Sequence, residues 1–455
     1  MASAGRRPGP DPATLPLDQL RGFLADGALS AVAVAEAFLA VIEAKEPQVQ
    51  AWAFLDRALV LQQAAARDAQ RKAGQPIGPL HGLPVGVKDV IDTADMPTEN
   101  GTVLDAGRRP RRDSTVAARL RAAGAVIMGK TVSTELAYFS PGKTRNPHDT
   151  TRTPGGSSSG SAAAVAAGMV PLAIGTQTMA SVIRPAAFCG VVGFKPSHGS
   201  IGRSGTLLLS RELDTIGAFA ADIDGVALLV DALEGHDPDD PDTAPRAASR
   251  LLENARAAPP VEPLFAMVRT PVWDQAEPST VAAFAELAEV LGERCDAVDP
   301  GPAFAEGYAA HRTTMAVGMA RNLRRYRARD ESALSGRMRE FLAVGADIPA
   351  VDFLAAQDWR QVLNAGLDKV FERYDAIVTP AAAGEAPQGL DATGNPIFGA
   401  LWTFLGVPAI TLPLLTGPSG MPMGVQLIGR RGEDGRLLRN ARRLAQLVEQ
   451  AATED

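Results

Sequence analysis

The sequence predicts an α/β fold: a single large α/β/α domain with a twisted mixed central sheet covered by helices on both faces. Two observations favour this class. Short, continuously apolar segments, such as the one within residues 82–92, alternate with amphipathic helical segments, a pattern typical of strands that are buried on both faces. With 455 residues, 46% of them hydrophobic, the chain can also bury a large core.

Capping residues, helical periodicity and apolar runs locate the individual elements. Ser30 is placed to cap a helix that carries Phe38, Leu39 and Ile42 on one face. In chain order, the predicted elements are a helix from Ser30 to about residue 44, a helix over 58–72, a strand within 82–92, a helix from Ser114, a strand over 125–128, a buried helix and then a strand over 162–175, strands over 264–268, 376–379, 407–412 and 425–428 with a helix over 282–291 among them, and an amphipathic helix over 437–449.

The elements are expected to form one domain over residues 1–455. Within it, residues 1–14 are expected to be disordered, about 80–220 to form the core segment that carries the motifs, and about 261–400 to be more variable and rich in helices. Residues 237–260 are dominated by Asp, Pro and Ala and show the weakest sign of regular secondary structure. They are expected to form a surface excursion.

Composition excludes several classes of protein. The net charge of −7, from 45 Lys and Arg against 52 Asp and Glu, argues against a nucleic-acid-binding protein. The apolar stretch over residues 162–175 is too short to span a bilayer and is broken by Gly168 and Pro171. We therefore expect no nucleic-acid or membrane partner, and a monomer or homodimer that acts on a small molecule.

Cysteine and histidine usage bears on compartment and metal content. Cys189 and Cys295 are far apart, so no disulfide framework is indicated. Together with the lack of a signal-peptide pattern in the first ten residues, this predicts a reducing, cytoplasmic location. No two of the five histidines have the spacing of helical metal ligands, since they are at positions 81, 148, 198, 236 and 311. We expect neither a metal nor any other cofactor.

Lys88 occupies a position where a buried strand would carry an aliphatic residue, in the segment Val85-Gly86-Val87-Lys88-Asp89. On this segment alone, the favoured interpretation is a solvated lysine on an edge strand, or a pair with Asp89. The functional alternative is that burial lowers the pKa of the lysine, because desolvation disfavours the ammonium. Lys88 would then be able to act as a base.

The segment Gly155-Gly156-Ser157-Ser158-Ser159-Gly160-Ser161 precedes a helix of small residues. Its two leading glycines allow a tight turn and a close backbone approach to a ligand. The N-terminus of the helix offers free N–H groups. A capped Gly/Ser turn is the ordinary explanation, but four serines within five positions favour a functional role.

Ser181 ends a short polar loop, residues 176–181, which follows the strand that ends at Gly175. Consecutive N–H groups of such a loop can form an oxyanion hole beside their own nucleophile. Taken alone, a serine in a loop more often makes a turn hydrogen bond than it acts as a nucleophile.

Together, these three segments resemble the amidase signature family. Similarity is high over residues 171–197, which contain Gly-Thr-x-x-x-x-Ser and then Pro-Ala-x-Phe-Cys-Gly-Val-Val-Gly-Phe-Lys-Pro-Ser. Ser157 lies 24 residues (181 − 157) before Ser181, which is the interval of the family. Residues 82–89 are similar to the segment that holds the family's catalytic lysine, and weaker similarity extends over about 15–445. Three ordered segments at these intervals are strong evidence, whereas one Gly-Gly-Ser-Ser motif is weak.

The resemblance implies a Ser-cisSer-Lys amidohydrolase with the amidase signature fold. Ser181 would attack the carbonyl carbon and form an acyl- or carbamoyl-enzyme. Ser157, on a cis peptide, would relay the proton, and Lys88, neutral at rest, would accept it and return it to the leaving nitrogen. The oxyanion would be held by backbone N–H groups of the loop, namely those of Thr178, Met179, Ala180 and Ser181.

Three features depart from the usual pattern of the family. Met179-Ala180 replaces the small pair, Gly-Gly or Ala-Gly, that normally precedes the nucleophile. Alanine would cost stability if the loop needs a positive φ at residue 180, and Met179 would make the acyl pocket narrower and more apolar. Gln177 stands where many members have aspartate, and Arg184 follows Ser181 by three residues rather than two; both resemble a known branch of the family.

The substrate implied is a small amide or carbamate (urethane) with an apolar or aryl group. Allophanate- and malonamate-type acids are disfavoured, because no arginine is evident that would bind their carboxylate. Several residues are candidates to bind this substrate, although simple packing in the core explains the apolar ones among them equally well. The candidate substrate-binding residues are Leu136, Tyr138, Gln177, Met179, Phe398 and Trp402.

Two other functions fit parts of the sequence. Residues 156–160 match the Gly-x-Ser-x-Gly nucleophile elbow of esterases, with Ser158 as nucleophile and His198, His236 or His311 as base, but the preceding residues 146–154 cannot form the strand that this motif requires. Members of the family also serve as subunits of amidotransferase complexes that act on aminoacyl-tRNA. The acidic charge argues weakly against direct contact with tRNA.

Overall fold

Within residues 11–454, which the computed structural model describes, eleven strands form one mixed sheet. Across the sheet, the strands lie in the order β1-β3-β2-β4-β6-β5-β10-β11-β9-β7-β8. Their bounds are β1 Trp52–Leu55, β2 Pro84–Lys88, β3 Val126–Thr131, β4 Leu172–Gln177, β5 Val192–Lys195, β6 Thr215–Ala220, β7 Phe265–Val268, β8 Cys295–Val298, β9 Ala376–Pro380, β10 Ala409–Thr416 and β11 Pro422–Ile428.

Fifteen α-helices accompany this sheet in the described part of the chain, which confirms the predicted α/β class and mixed sheet. They are α1 Leu17–Asp26, α2 Ala31–Val49, α3 Arg57–Lys72, α4 Thr115–Ala122, α5 Ser159–Ala166, α6 Ile183–Cys189, α7 Ile223–Leu233, α8 Leu251–Arg256, α9 Pro278–Leu291, α10 Glu306–Asn322, α11 Arg324–Asp330, α12 Gly336–Asp347, α13 Ala350–Val370, α14 Ile397–Leu405 and α15 Asp434–Glu454.

Strand direction near the middle of the sheet brings the motif-bearing segments together. The strand β2 is parallel to both of its neighbours, β3 and β4, and Val87 pairs with Ile174. Their carboxyl ends therefore meet at one edge, where Lys88 ends β2 and Thr176 lies near the end of β4. The antiparallel partner β6 brings Thr215 opposite Gln177 at the same edge.

Local capping explains where the early helices begin. The Ser30 hydroxyl accepts from the Ala33 N–H at 3.0 Å and so caps α2, as its position predicted. In the same way, Ser114 caps α4 by accepting from the Ala117 N–H at 3.1 Å. The predicted strands also form, as β2, β3, β4, β7, β9, β10 and β11, with ends that differ by a few residues.

Two expectations about weakly patterned segments need correction. Residues 1–10 lie outside the described residues, but Pro12–Thr14 forms a 3-10 helix, so disorder is wrong for that part. Residues 237–260 are not a simple surface excursion, because they contain α8 and the buried Asp240, which binds Arg203 at 2.8 Å. The ion pair joins residues 37 positions apart, which local sequence patterns do not reveal.

Residues 11–454 contain neither a membrane-spanning helix nor a cluster of metal-binding side chains. No helix there combines the length and the apolar character needed to cross a bilayer. In that part of the chain, no group of three or more His, Cys, Asp or Glu side chains is placed to hold a metal ion.

Candidate active site

Lys88 is completely buried at the end of β2, with 0% of its surface exposed. Its Nζ atom lies 2.7 Å from Ser157 Oγ and 2.8 Å from Thr176 Oγ1. Burial lowers the pKa of Lys88 to about 7, and the charge of Asp214 opposes part of that shift. An edge strand with a solvated lysine is therefore excluded, and a neutral amine is accessible near neutral pH.

Ser157 follows a cis peptide bond from Gly156 and is buried beside Lys88. The peptide is held from two sides: Arg184 Nη2 donates to Gly156 O at 2.6 Å, and the Thr134 N–H donates to Ser157 O at 3.2 Å. Arg184 belongs to α6, which begins two residues after Ser181. Its guanidinium thus connects the segment of Ser157 to the segment of Ser181.

The loop that ends at Ser181 is braced by Gln177. The Gln177 Oε1 atom accepts from the N–H groups of Val182, at 2.8 Å, and Ile183, at 3.0 Å. Its Nε2 atom donates to Thr403 Oγ1 at 2.9 Å. Gln177 is buried, and both ends of its amide are occupied by the protein itself. Ser181, by contrast, is partly exposed.

Two carbonyl groups of the same loop bind side chains from distant helices. His311 Nε2 donates to Thr178 O at 2.9 Å, and Thr403 Oγ1 donates to Met179 O at 2.6 Å. Within residues 11–454, no oxygen accepts a hydrogen bond from the N–H groups of Met179, Ala180 or Ser181. These N–H groups are free to bind a developing negative charge, which is the requirement for an oxyanion hole.

An apolar cavity of about 500 Å³ adjoins this loop at Met179. The rings of Tyr138 and Phe341 stack in its wall with their centroids 5.1 Å apart. Most of the lining is aromatic or aliphatic, with Tyr138, Phe139, Met179, Tyr308, Met315 and Phe341 among the lining residues. A small substrate with an apolar group fits such a lining.

The family model named Amidase matches residues 33–438. The chain belongs to the amidase family. One relative is a subunit of the glutamyl-tRNA(Gln) amidotransferase of Chloroflexus aggregans. It is 35% identical to this chain over 471 residues, which cover 91% of this chain and 93% of that relative.

Two solved structures have the same architecture. One chain, from a vestigial protein complex that reveals the evolutionary origins of an s-triazine catabolic enzyme, superimposes with a TM-score of 0.88 and 29% identity, covering 96% of this chain and 98% of its own. The native peptide amidase of Stenotrophomonas maltophilia superimposes with a TM-score of 0.81 and 28% identity, covering 94% of this chain and 96% of its own. The protein is therefore an amidase-family enzyme that acts on C–N bonds.

Ala180 of this amidase lies in a backbone conformation that alanine adopts freely. The non-glycine residues with positive φ are elsewhere, at Gln50, Asn100, Leu136, Ala137 and Arg250. The condition under which alanine would cost stability in the loop is therefore not met.

The predicted substrate-binding residues of the amidase divide into two groups. Tyr138 and Met179 line the apolar cavity. Leu136, Phe398 and Trp402 are at most 2% exposed and do not line it, so the packing interpretation fits their burial. Gln177, as described above, braces the loop.

A second cavity of about 490 Å³ shares Tyr138, Phe139, Arg312 and Phe341 with the first and is also lined by Arg337. Within residues 11–454, no carboxylate oxygen lies within 4.0 Å of either guanidinium. The sequence pointed to no particular arginine for a substrate carboxylate, whereas the structure places two arginines in this cavity. Both arginines come from helices α10 and α12, which carry no motif.

The esterase-type elbow at Ser158 is excluded. Ser158 is fully buried, and its Oγ atom donates to Thr176 O at 3.1 Å and accepts from the Thr176 N–H at 3.2 Å. No strand precedes it within residues 132–158. The three candidate histidines bind other groups, as His311 does with Thr178 O.

Asp214 and Thr403 contact the loop although the sequence showed no sign of either, and His311, which the sequence offered only as a possible esterase base, contacts it as well. Asp214 accepts from the Thr178 hydroxyl at 2.5 Å and from the Leu209 N–H at 2.6 Å, and burial raises its pKa to about 6. Local sequence patterns cannot indicate these contacts, because each residue lies 36 or more positions from its partner in the loop.

Proposed function

We propose that this amidase cleaves C–N bonds of small amides or carbamates through a covalent intermediate on Ser181. Ser157 relays the proton, and Lys88 acts first as base and then as acid. The observation that carries the proposal is the 2.7 Å contact of Lys88 Nζ with Ser157 Oγ, two side chains that are both buried. A neutral amine there accepts a proton from Ser157 while it donates to Thr176, 2.8 Å away.

The proposed reaction has two halves. As Ser181 Oγ attacks the carbonyl carbon, its proton moves to Ser157 Oγ, and the proton of Ser157 moves to Lys88. The oxyanion binds the free N–H groups that precede and include that of Ser181. The ammonium then returns its proton through Ser157 to the leaving nitrogen, and water releases the acyl or carbamoyl group by the same route.

The cavities support a substrate with an apolar or aryl body and an anionic end. The first cavity offers a mostly apolar surface beside Met179. The second places Arg312 and Arg337 next to the same aromatic wall. A guanidinium without a carboxylate partner binds a carboxylate well, through two parallel N–H donors.

A glutamine-dependent amidotransferase component is the second candidate. The relative from Chloroflexus aggregans is described as part of such an amidotransferase. Glutamine is an amide with a carboxylate and an ammonium group, and Glu340 lies beside Arg312 and Arg337 in the second cavity. The aromatic and aliphatic part of the lining next to Met179 favours the first candidate, because a zwitterion gains little from it. Arg312 in the same lining, and the similarity to the Chloroflexus aggregans subunit, favour the second.

Active-site labelling tests the nucleophile. A sulfonyl fluoride or phosphonate, followed by peptide mapping, is expected to modify Ser181 in the native protein and to leave the Ser181→Ala variant unmodified. Modification of another residue, or hydrolysis by Ser181→Ala at the rate of the native protein, would refute the proposal.

A substrate panel separates the two candidates. The kcat/KM is measured for anilides, aliphatic amides, aryl carbamates, esters and glutamine. Preference for apolar or aryl compounds favours the first candidate. Preference for glutamine, together with ammonia transfer to aminoacyl-tRNA and a second protein that co-purifies, favours the second.

Matched anilides with and without a carboxylate test the anionic end of the substrate. Arg337→Met is expected to lower kcat/KM about tenfold for the anilide that carries a carboxylate and to leave kcat/KM for the uncharged anilide unchanged. Arg339→Met is the matched control, because Arg339 is exposed on the same helix and does not line either cavity. Equal effects of the two substitutions would remove Arg337 from the substrate site.

A further inference from the structure

Two helices from the distal half of the chain hold adjacent carbonyl groups of the loop before Ser181. From α10, His311 Nε2 donates to Thr178 O at 2.9 Å. From α14, Thr403 Oγ1 donates to Met179 O at 2.6 Å. Both side chains belong to residues only 1% exposed, so water does not compete for these donors.

Because each peptide group is planar, these contacts also fix the directions of two N–H groups. In a planar trans peptide, the C=O of one residue and the N–H of the next point in opposite directions. The cis bond in the described chain is Gly156-Ser157, outside this loop. Fixing Thr178 O therefore directs the N–H of Met179, and fixing Met179 O directs the N–H of Ala180. These are the groups that have no acceptor within residues 11–454.

We propose that His311 and Thr403 are positioning residues of the oxyanion hole, which aim the N–H groups of Met179 and Ala180 at the substrate oxyanion. The inference rests on the proposed function, since it requires an oxyanion to form at a carbonyl attacked by Ser181. Neither residue touches the reacting atoms in this assignment. Each acts through a backbone carbonyl.

The state of each donor follows from its partners. A carbonyl oxygen can only accept, so His311 carries its hydrogen on Nε2. Burial lowers the pKa of His311 to about 4, which keeps the ring neutral at physiological pH. Thr403 Oγ1 accepts from Gln177 Nε2 at 2.9 Å, so its single hydrogen is left for Met179 O. Gln177 thus orients the donor as well as bracing the loop.

Paired substitutions test the assignment. His311→Leu and Thr403→Val remove a donor, whereas His311→Gln and Thr403→Ser keep one at the same place. With a neutral anilide, we expect kcat to fall about 10- to 100-fold in the first pair and to recover most of that loss in the second pair. KM should stay within about threefold of the native value in Thr403→Val, because Thr403, unlike His311, does not line the apolar cavity.

Thr314→Val is the matched control. Thr314 is buried on α10, and its hydroxyl donates to Ala310 O at 2.8 Å within its own helix. Thr314→Val replaces a hydroxyl by a methyl group, as Thr403→Val does, but at a side chain that does not contact the loop. Native kcat is therefore expected. Thermal melts of all variants identify any loss of folded protein, and the nearly isosteric Thr403→Val alone decides the outcome if His311→Leu fails to fold.

A carbonyl-directed inhibitor gives a second measurement. A trifluoromethyl ketone, which forms an oxyanion with the nucleophile, should lose affinity in Thr403→Val, whereas a non-reactive substrate analogue should not. Native kcat in Thr403→Val, or a raised KM with native kcat, would overturn the assignment and leave these residues as packing. Failure of the proposed function shows itself separately, as activity that survives Ser181→Ala.

Discussion

Gly399 on α14 lies so close to Ala180 that a Cβ atom added to residue 399 would be 2.6 Å from the Ala180 Cβ atom and 2.7 Å from Met179 O. Atoms at such distances must shift. The helix therefore has no side chain where the loop has gained one, relative to the Gly-Gly or Ala-Gly pair usual at this place. This complementarity lets α14 approach closely enough for Thr403 to reach Met179 O.

Gly399→Ala should lower the free energy of unfolding by about 1–3 kcal/mol, because overpacking outweighs the gain in helix propensity. The activity should fall as well, since the loop is displaced. Adding Ala180→Gly should restore only part of the stability, because Met179 O remains in the way. Chemical denaturation and kcat measurements on the two variants check this.

Gly22→Ala is the matched control for that substitution. Gly22 lies inside α1, with no atom within 4 Å of an added Cβ. Alanine there should stabilise the protein by up to about 1 kcal/mol. If Gly399→Ala left the free energy of unfolding unchanged or raised it, the loop would have to move away from α14 at little energetic cost, contrary to the prediction.

Lys88→Ala should reduce kcat/KM for an anilide by about 10³-fold and for a matched aryl ester by much less, because an aryloxide leaves without being protonated. Lys195→Ala serves as the control, since Lys195 is another fully buried lysine but donates to the Val407 carbonyl, away from the serines. It should cost stability without changing the ratio of amide to ester cleavage. Equal losses on both substrates in Lys88→Ala would contradict its role as the acid.

The acid limb of the pH profile should report Lys88. With the pKa of Lys88 at about 7, kcat/KM should fall as pH drops below 7, because the ammonium cannot accept the proton of Ser157. The charge of Asp214 raises that pKa, so Asp214→Asn should move the limb to lower pH. A limb that stays in place or moves to higher pH would show that another group is being titrated.

Ser157→Ala and Ser158→Ala should behave differently although the residues are adjacent. Ser157→Ala removes the proton relay, and kcat should fall by about 10²- to 10⁴-fold. Ser158→Ala removes two hydrogen bonds to the Thr176 backbone, which should cost about 1–2 kcal/mol of stability and leave kcat within about tenfold. The reverse order of activities would contradict the proposed relay.

The sequence was most informative where function depends on residues that are close in the chain. Lys88, Ser157 and the loop before Ser181 each lie in a short segment with an unusual composition, and the sheet brings Lys88 and Ser157 into contact. The catalytic roles assigned to them remain predictions. The parallel strands β2 and β4 account for the meeting, because their carboxyl ends share one edge.

Sequence was least informative for residues that act from a distance or from an unmarked helix face. Gln177 was a substrate-binding candidate, yet its contacts are with Val182, Ile183 and Thr403. A polar residue in a loop gives no sign of whether its amide faces a ligand or the backbone. Arg312 could not be found either, because α10 has charged and apolar residues without a clear periodicity.

The walls of the apolar cavity come largely from α10, with smaller parts from α12 and α14, all outside the motif-bearing segments. Lys88 and Thr176, by contrast, belong to central strands. If the proposed mechanism holds, the amidase has its reactive groups and its selectivity on separate parts of the chain. Directed evolution confined to the cavity-lining positions of these helices, with His311 kept, should therefore yield enzymes with new substrate ranges while turnover chemistry is preserved. Natural diversification can follow the same division.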